Sequence, residues 1–282
     1  KNLVLANLVM KMNFKGKKGD TVHIPAPTRG SASAKASEAA VTLIAATESE
    51  VQVSINKHYE YSRLIEDIVE AQALNSLRNF YTSDAGYALA RQVDTDLVQL
   101  ARSANGGAGT AAYAAAYVGG DGTTAYVAAS NNESALTDAA IRRTIQRLDD
   151  NDTPMDNRFF LIPPSSRNTL MGLARYTEQA FVGNGDAIRT GEIGNLYGIP
   201  VFVSSNCDTT SGSNAARVAI MGHRDSMVLV EQVAVRSQVQ YKQEYLATLF
   251  TSDTLYGVQA LRTAATVGAA KSSSAFALAV PA

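Results

Sequence analysis

This 282-residue sequence predicts a mixed α+β fold. Three observations carry the prediction. Near the start, two strand-like runs flank a tip rich in Ser, Ala and Gly. One apolar stripe then recurs every three or four residues over 77–100. Farther on, apolar and polar residues alternate over most of 228–250. Between the stripe and the last run, short apolar segments alternate with helical patterns, which predicts a small α/β layer.

Taken in order, residues 1–20 mix apolar and basic side chains (Lys11, Lys15, Lys17 and Lys18) and read as a solvated surface arm. Thr21, Val22, His23 and Ile24 form a short strand expected to stop at Pro25 and Pro27, which cannot donate to a central ladder. Residues 28–40 have no hydrophobic period and are expected to project as a loop. Strands resume at 41–44 and 51–55, which completes a protruding hairpin. The stripe Leu77, Tyr81, Ala85, Leu89, Val93, Leu97 and Leu100 lies on one face of a helix expected over about 71–103, on the order of 45–50 Å long. Arg78, Asp84, Arg91, Asp94 and Arg102 fall off that stripe. Gly and Ala dominate 104–134, which reads as a surface insertion or linker.

Thr137 or Asp138 is placed to cap a helix whose inward residues are Ile141, Ile145 and Leu148. An acidic, solvated turn is expected over 149–156, followed by a buried strand at 158–162. Pro163 and Pro164 stop that strand, and Ser165 is expected to cap the next helix, with Leu170 and Leu173 facing in. A polar loop follows over 183–194, then strands at 199–203 and 218–221. The stretch 228–250 reads as nearly continuous strand beside the long helix. One more short element is expected at 261–267, before a Ser/Ala-rich tail from Lys271.

Composition narrows the function classes. Lys and Arg total 25 against 26 Asp and Glu, so there is no basic excess of the kind that grips nucleic acid. A protein of this balance near DNA encloses it rather than binding it tightly. The single Cys207 excludes an intrachain disulfide and a multi-cysteine zinc site, and fits a reducing cytoplasm. No apolar run reaches the length of a membrane span. The chain begins at Lys1 without a signal-peptide pattern, so its natural start is expected to be cleaved or missing.

No catalytic, cofactor-binding or metal-binding set emerges. His23, His58 and His223 fall in different elements with no ligand spacing. Ser165 and Ser166 lack the surrounding glycines of a nucleophile elbow. Gly183-Asn184-Gly185-Asp186 lacks the Lys-Ser/Thr and third glycine of nucleotide loops. Asp149, Asp150, Asp152 and Asp156 lack the central Gly and terminal Glu of a calcium loop.

The order of elements (hairpin, long helix, α/β module, long returning strand) resembles the tailed-bacteriophage major capsid protein with its HK97-like fold, in the podovirus-like branch. Local motifs carry the same resemblance. Residues 156–165 (DNRFFLIPPS) resemble the strand-to-helix passage of podovirus coat proteins. Residues 191–201 (GEIGNLYGIPV) resemble the family's Gly-x-Pro-Val strand, 222–228 (GHRDSMV) the approach to its last long strand, and 19–25 (GDTVHIP) the entry to its hairpin.

The resemblance implies an N-terminal arm (1–20), an E-loop hairpin (21–57), a P-domain with spine helix and insertion (58–134), an α/β A-domain (135–232), and P-domain return strands with a tail (233–282). His23, Pro25, Pro27, Arg29, Lys35 and Glu38 would then be intersubunit E-loop residues, with no Lys35 crosslink expected. Asn184, Asp186, Arg189 and Glu192 would lie on a capsomer-axis loop. The implied partners are copies of the chain in hexamers and pentamers, a scaffolding protein, a portal, and packaged double-stranded DNA enclosed without sequence-specific binding. No cofactor, membrane or enzymatic activity is expected. The implied location is the virion, assembled in the host bacterial cytoplasm. An encapsulin-like compartment around cargo enzymes is the alternative on the same fold. A soluble α/β enzyme is the alternative from another class, and the missing catalytic set counts against it.

Overall fold

The computed structural model describes residues 4–27, 32, 34–38, 40, 41, 48–72, 77–103, 116–127, 130–173, 194–207, 216–262 and 273–281. The chain opens with a four-residue helix, Leu5–Leu8 (α1), and a short strand, Met10–Asn13 (β1). Thr21–Pro27 (β2) and Glu48–Ser54 (β3) form an antiparallel hairpin, and Lys57–Glu66 (β4) follows. Asp67–Gln72 (α2) precedes the long helix Leu77–Ser103 (α3). The next elements are Ala116–Val118 (β5), Asp138–Asp150 (α4), Arg158–Ile162 (β6), Pro164–Met171 (α5), Asn195–Leu196 (β7), Ile199–Val203 (β8) and Arg217–His223 (β9). Met227–Lys242 (β10), Ala247–Ala260 (β11) and Ala275–Val280 (β12) complete the chain.

The described strands form three sheets. One has the order β1-β10-β11-β4, one the order β5-β12-β9-β6-β8-β7, and the hairpin is the third. The six-stranded sheet is covered on both faces, and strand alternation assigns its residues to two cores. Phe159, Leu161, Val218, Ile220, Ala277 and Ala279 meet Leu97, Val98 and Ala101 of α3 together with Leu5, Ala6 and Val9. Their neighbours Phe160, Ile162, Ala219, Met221 and Leu278 meet Ile141 and Leu148 of α4 and Leu170 of α5. The first core also takes in Leu229 and Tyr256, so it joins the six-stranded sheet to the four-stranded one.

The hairpin differs from the sequence expectation. β2 does not stop at Pro25 but runs through Pro27, which pairs with Glu48. The carbonyl of Asp20 accepts the N–H of Ile55 at 2.7 Å, so even-numbered positions face β3. Pro25 and Pro27 therefore point their missing N–H toward the open edge, where no ladder bond is lost. The second strand begins at Glu48. Val41 is exposed and outside any strand, and 42–47 lie outside the described residues.

At its base the hairpin crosses β11. A Cβ on Gly257 would lie 2.4 Å from the Ser54 carbonyl oxygen, so only glycine allows this approach. Gly257→Ala is expected to lower stability by about 1–3 kcal/mol through overpacking. Gly194→Ala, which has open space around its Cβ, is expected to stay within about 0.5 kcal/mol. Urea unfolding midpoints of the two variants make the comparison.

Within the expected helix over 71–103 the structure describes α3 and the last two residues of α2; residues 73–76 lie outside the described residues. Ala85, Leu89 and Leu97 are buried, and Tyr81, Val93 and Leu100 are half-buried. Asp94, expected off the stripe, is buried at 5% exposure because α1 packs over that side of α3. Thr137 caps α4 by accepting the Ala140 N–H. Ser165 does not cap α5. It donates instead to the Pro281 carbonyl, and Pro163 stands at the cap position. The acidic turn is not simply solvated. The buried Arg158 guanidinium gathers it by donating to Asp149 at 2.7 Å and to the carbonyls of Thr153 and Pro154.

Further expectations change in the last third. The run 228–250 is not one strand but a hairpin. β10 turns through a short 3₁₀ segment, Gln243–Tyr245, and Leu246 in left-handed backbone (φ 45°) before β11 returns. The Ser/Ala-rich tail contains β12, a fully buried strand between β5 and β9. Residues 116–118 of the expected surface insertion form β5 on the same sheet, and Tyr126 lies in the core at 1% exposure. The sheets therefore cut across the boundaries read from sequence. Residues 116–118 and 275–280 join the six-stranded sheet, and β10 joins the four-stranded sheet from Met227. The predicted element at 261–267 falls largely outside the described residues.

Candidate assembly surfaces

The protruding hairpin presents one apolar and one polar face. Val51 and Val53 are buried, and Val53 packs with Val22, Ile24, Val228 and Val230. On the opposite face His23 Nδ1 lies 3.0 Å from Glu50 Oε2, and Gln52 donates to Glu50 Oε1 at 2.6 Å. These contacts, Gln52 first and His23 second, hold the Glu50 carboxyl below its ordinary range. Of the expected hairpin residues, His23, Pro25, Lys35 and Glu38 are exposed, and Pro27 ends β2. Arg29 lies outside the described residues. So do Asn184, Asp186, Arg189 and Glu192 of the expected axis loop.

A surface that the sequence reading missed lies at the far end of the β10–β11–β4 arm. The arm projects because β1 pairs with β10 only as far as Glu231. Beyond the bulges between Glu231 and Arg236, β10 changes from buried to exposed. Tyr245 and Leu246 at the turn are 63% and 67% exposed, and Ile68 of α2 is 61% exposed. The turn is clipped to α2. The Asp67 N–H donates to the Leu246 carbonyl at 3.1 Å, and the Tyr241 hydroxyl donates to the Asp67 carboxylate at 2.8 Å. Exposed apolar groups are thus gathered where the turn meets α2, and such a patch marks a candidate contact surface.

The arm's other face is polar. Arg236 grips Asp253 through two N–H groups at 2.7 and 2.8 Å, and His58 lies 3.2 Å from the same carboxylate. Arg236 foremost, with His58, holds Asp253 below the usual carboxylate range.

Inside the molecule, α3 carries two buried carboxylates. Asp96 accepts the Tyr256 hydroxyl at 2.7 Å and Gln92 at 3.2 Å, and pairs with Lys57 at 3.2 Å. Burial, followed by the hydrogen bond to Asp96, pushes the Tyr256 hydroxyl far above its ordinary range. Asp94 accepts the backbone N–H groups of Val4 and Ala6 at 2.8 and 3.0 Å. Burial raises its carboxyl above the ordinary value, against the pull of those N–H groups. These contacts fasten the helix to the sheet and to the N-terminal segment, which is structural work. Among the described residues, no group of three or more His, Cys, Asp or Glu is arranged to hold a metal ion. None of the described helices is long and apolar enough to cross a membrane.

Comparison with known proteins accounts for this architecture. The family model described as phage capsid protein matches residues 51–277, and the chain belongs to that family. No curated protein matches it. Among solved structures, a chain from Mycobacterium phage Che8 is 19% identical, with 98% of this chain and 91% of that one covered, at a TM-score of 0.74. The capsid of cyanophage P-SCSP1u is 18% identical over 99% of this chain and 88% of that one, at 0.75. The capsid of a native GTA particle, computed with C5 symmetry, is 11% identical over 99% and 90%, at 0.64. The fold is HK97-like. The protein is a phage capsid protein, a structural component of the virion shell.

Proposed function

We propose that copies of this chain assemble as hexamers and pentamers into a closed icosahedral shell around double-stranded DNA. In this reading the β2–β3 hairpin acts as the E-loop, α3 with the four-stranded sheet as the P-domain, and the six-stranded sheet as the A-domain. A scaffolding protein guides assembly in the host cytoplasm, a portal occupies one vertex, and the protein has no catalytic task. The observation that carries the reading is the exposed apolar end of the arm, which a lone protomer leaves in water. Lys242 and Glu244 beside it supply both charge signs, so copies of the patch can face one another around a symmetry axis. The near-neutral net charge of −1 suits enclosure of DNA without tight binding.

The test is assembly in the presence of scaffolding protein, followed by sedimentation and negative-stain microscopy. The unaltered chain is expected to give closed particles. Leu246→Asp is expected to fold normally by circular dichroism yet reduce particle yield at least tenfold. Monomers or dimers of the unaltered chain at every salt and protein concentration would refute the shell.

A further inference from the structure

We propose that residues 4–13 form a releasable strap, caught on Asp94 of α3, that locks the joint between the two large sheets. The strap consists of α1 and β1. A four-residue helix has no stability of its own, because too few bonds follow the unfavourable first turn. Its first residues also lack a local cap, since Val4 at the cap position offers no side-chain hydrogen bond. Asp94, 88 to 90 residues away in sequence, supplies the acceptors instead. Its oxygens take only backbone N–H groups from the strap, so the catch recognises main chain and not side-chain identity.

Docking brings opposing terms close together. Leu5, Ala6 and Val9 become buried to 2% exposure or less, and β1 gains four parallel pairs along β10, Met10 with Val228 through Asn13 with Glu231. Against this stands the removal of a carboxylate from water. When the strap leaves, that cost is relieved. A cavity of about 170 Å³, lined by Val4, Arg91, Asp94 and Asn206 among others, already adjoins the carboxylate, and water can solvate it there. Release also leaves the antiparallel pairing of β10, β11 and β4 untouched, because β1 is the outer strand.

The strap's location gives it a mechanical role. Leu5, Ala6 and Val9 sit in a core that contains α3 and residues of both large sheets. On the adjacent turn of α3, Thr95 and Arg91 hold Asn206, which follows β8 of the six-stranded sheet. The strap closes over this joint. Segments held by few contacts at an edge open below the global unfolding free energy.

Hydrogen exchange read by mass spectrometry on the full-length protein tests the proposal. Asp94→Asn presents an N–H group toward backbone N–H groups, and Asp94→Ala removes both acceptors. Exchange over 4–13 is expected to rise at least tenfold in both variants, with a smaller rise over 97–101 and 204–207. Exchange over 218–222 and 275–280 should stay unchanged. Unchanged exchange over 4–13 would overturn the catch. An equal rise across all segments would overturn the strap, because α1 would then be inseparable from the core. If neither variant folds, the unaltered protein in low urea decides: residues 4–13 must open before 275–280, and simultaneous opening overturns the proposal.

Discussion

Leu97→Asp is expected to abolish folding. Leu97 is fully buried where α3, α1, β6 and β9 meet. Truncating a leucine in such a site costs about 2–5 kcal/mol, and an unpaired buried carboxylate adds several more. The sum reaches the whole stability of a typical domain, about 5–15 kcal/mol. The expected result is insoluble protein, or soluble protein without a cooperative melt by circular dichroism. A soluble Leu97→Asp chain with a native-like melt would show that the α3 face is not the core. Val93 is the weaker test position. It sits mid-stripe but is half-buried, beside a groove lined by Leu89, Ala234 and Val235, so a carboxylate there can reach water.

Deleting residues 28–40 is expected to preserve the fold and eliminate particles. The β2–β3 ladder closes at Pro27 with Glu48, so residues 41–47 remain to bridge it. Loop length matters little to stability, since each doubling costs only about 0.6 kcal/mol. The exposed positions Lys35 and Glu38 lie within the deletion, and Val53 and Ile55, which anchor the hairpin base, lie outside it. The value of the tip is therefore expected to lie in contacts with another subunit, repeated around every capsomer. The thermal melt should match the parent while microscopy shows no shells. Normal shells from the shortened chain would remove the hairpin tip from the assembly contacts.

How far the sequence could be read depended on side-chain period. The α3 stripe, the capped α4 and the run Arg158–Ile162 were legible because each has one strong period or one continuous apolar run. The β10–β11 turn was not, because Gln243, Glu244, Tyr245 and Leu246 include no Gly, Pro or Asn, and left-handed backbone at Leu246 leaves no compositional mark. β12 was hidden by the alanines on one of its two faces. Ala275, Ala277 and Ala279 alternate with Phe276, Leu278 and Val280, so next to the Ser-rich residues before it the strand looks like part of a bland tail. Asp94 was misplaced because a helix buried on two sides shows no second stripe when its partner is a distant backbone. The candidate assembly surfaces were half legible. Exposed polar residues marked the hairpin, but the apolar end of the arm has the same alternation as a buried strand, and only the missing neighbour in the sheet distinguishes it.

The position of β12 has a consequence for synthesis. It is an inner strand of its sheet, paired on one side with β9 and on the other with β5, yet it follows every other described strand in the chain. Until residues 275–280 have left the ribosome, β9 exposes an unpaired edge and both cores lack one wall. A nascent or prematurely terminated chain therefore lacks the joint on which its assembly surfaces are mounted. A chain that stops before residue 275 is therefore expected to be left out of a growing shell.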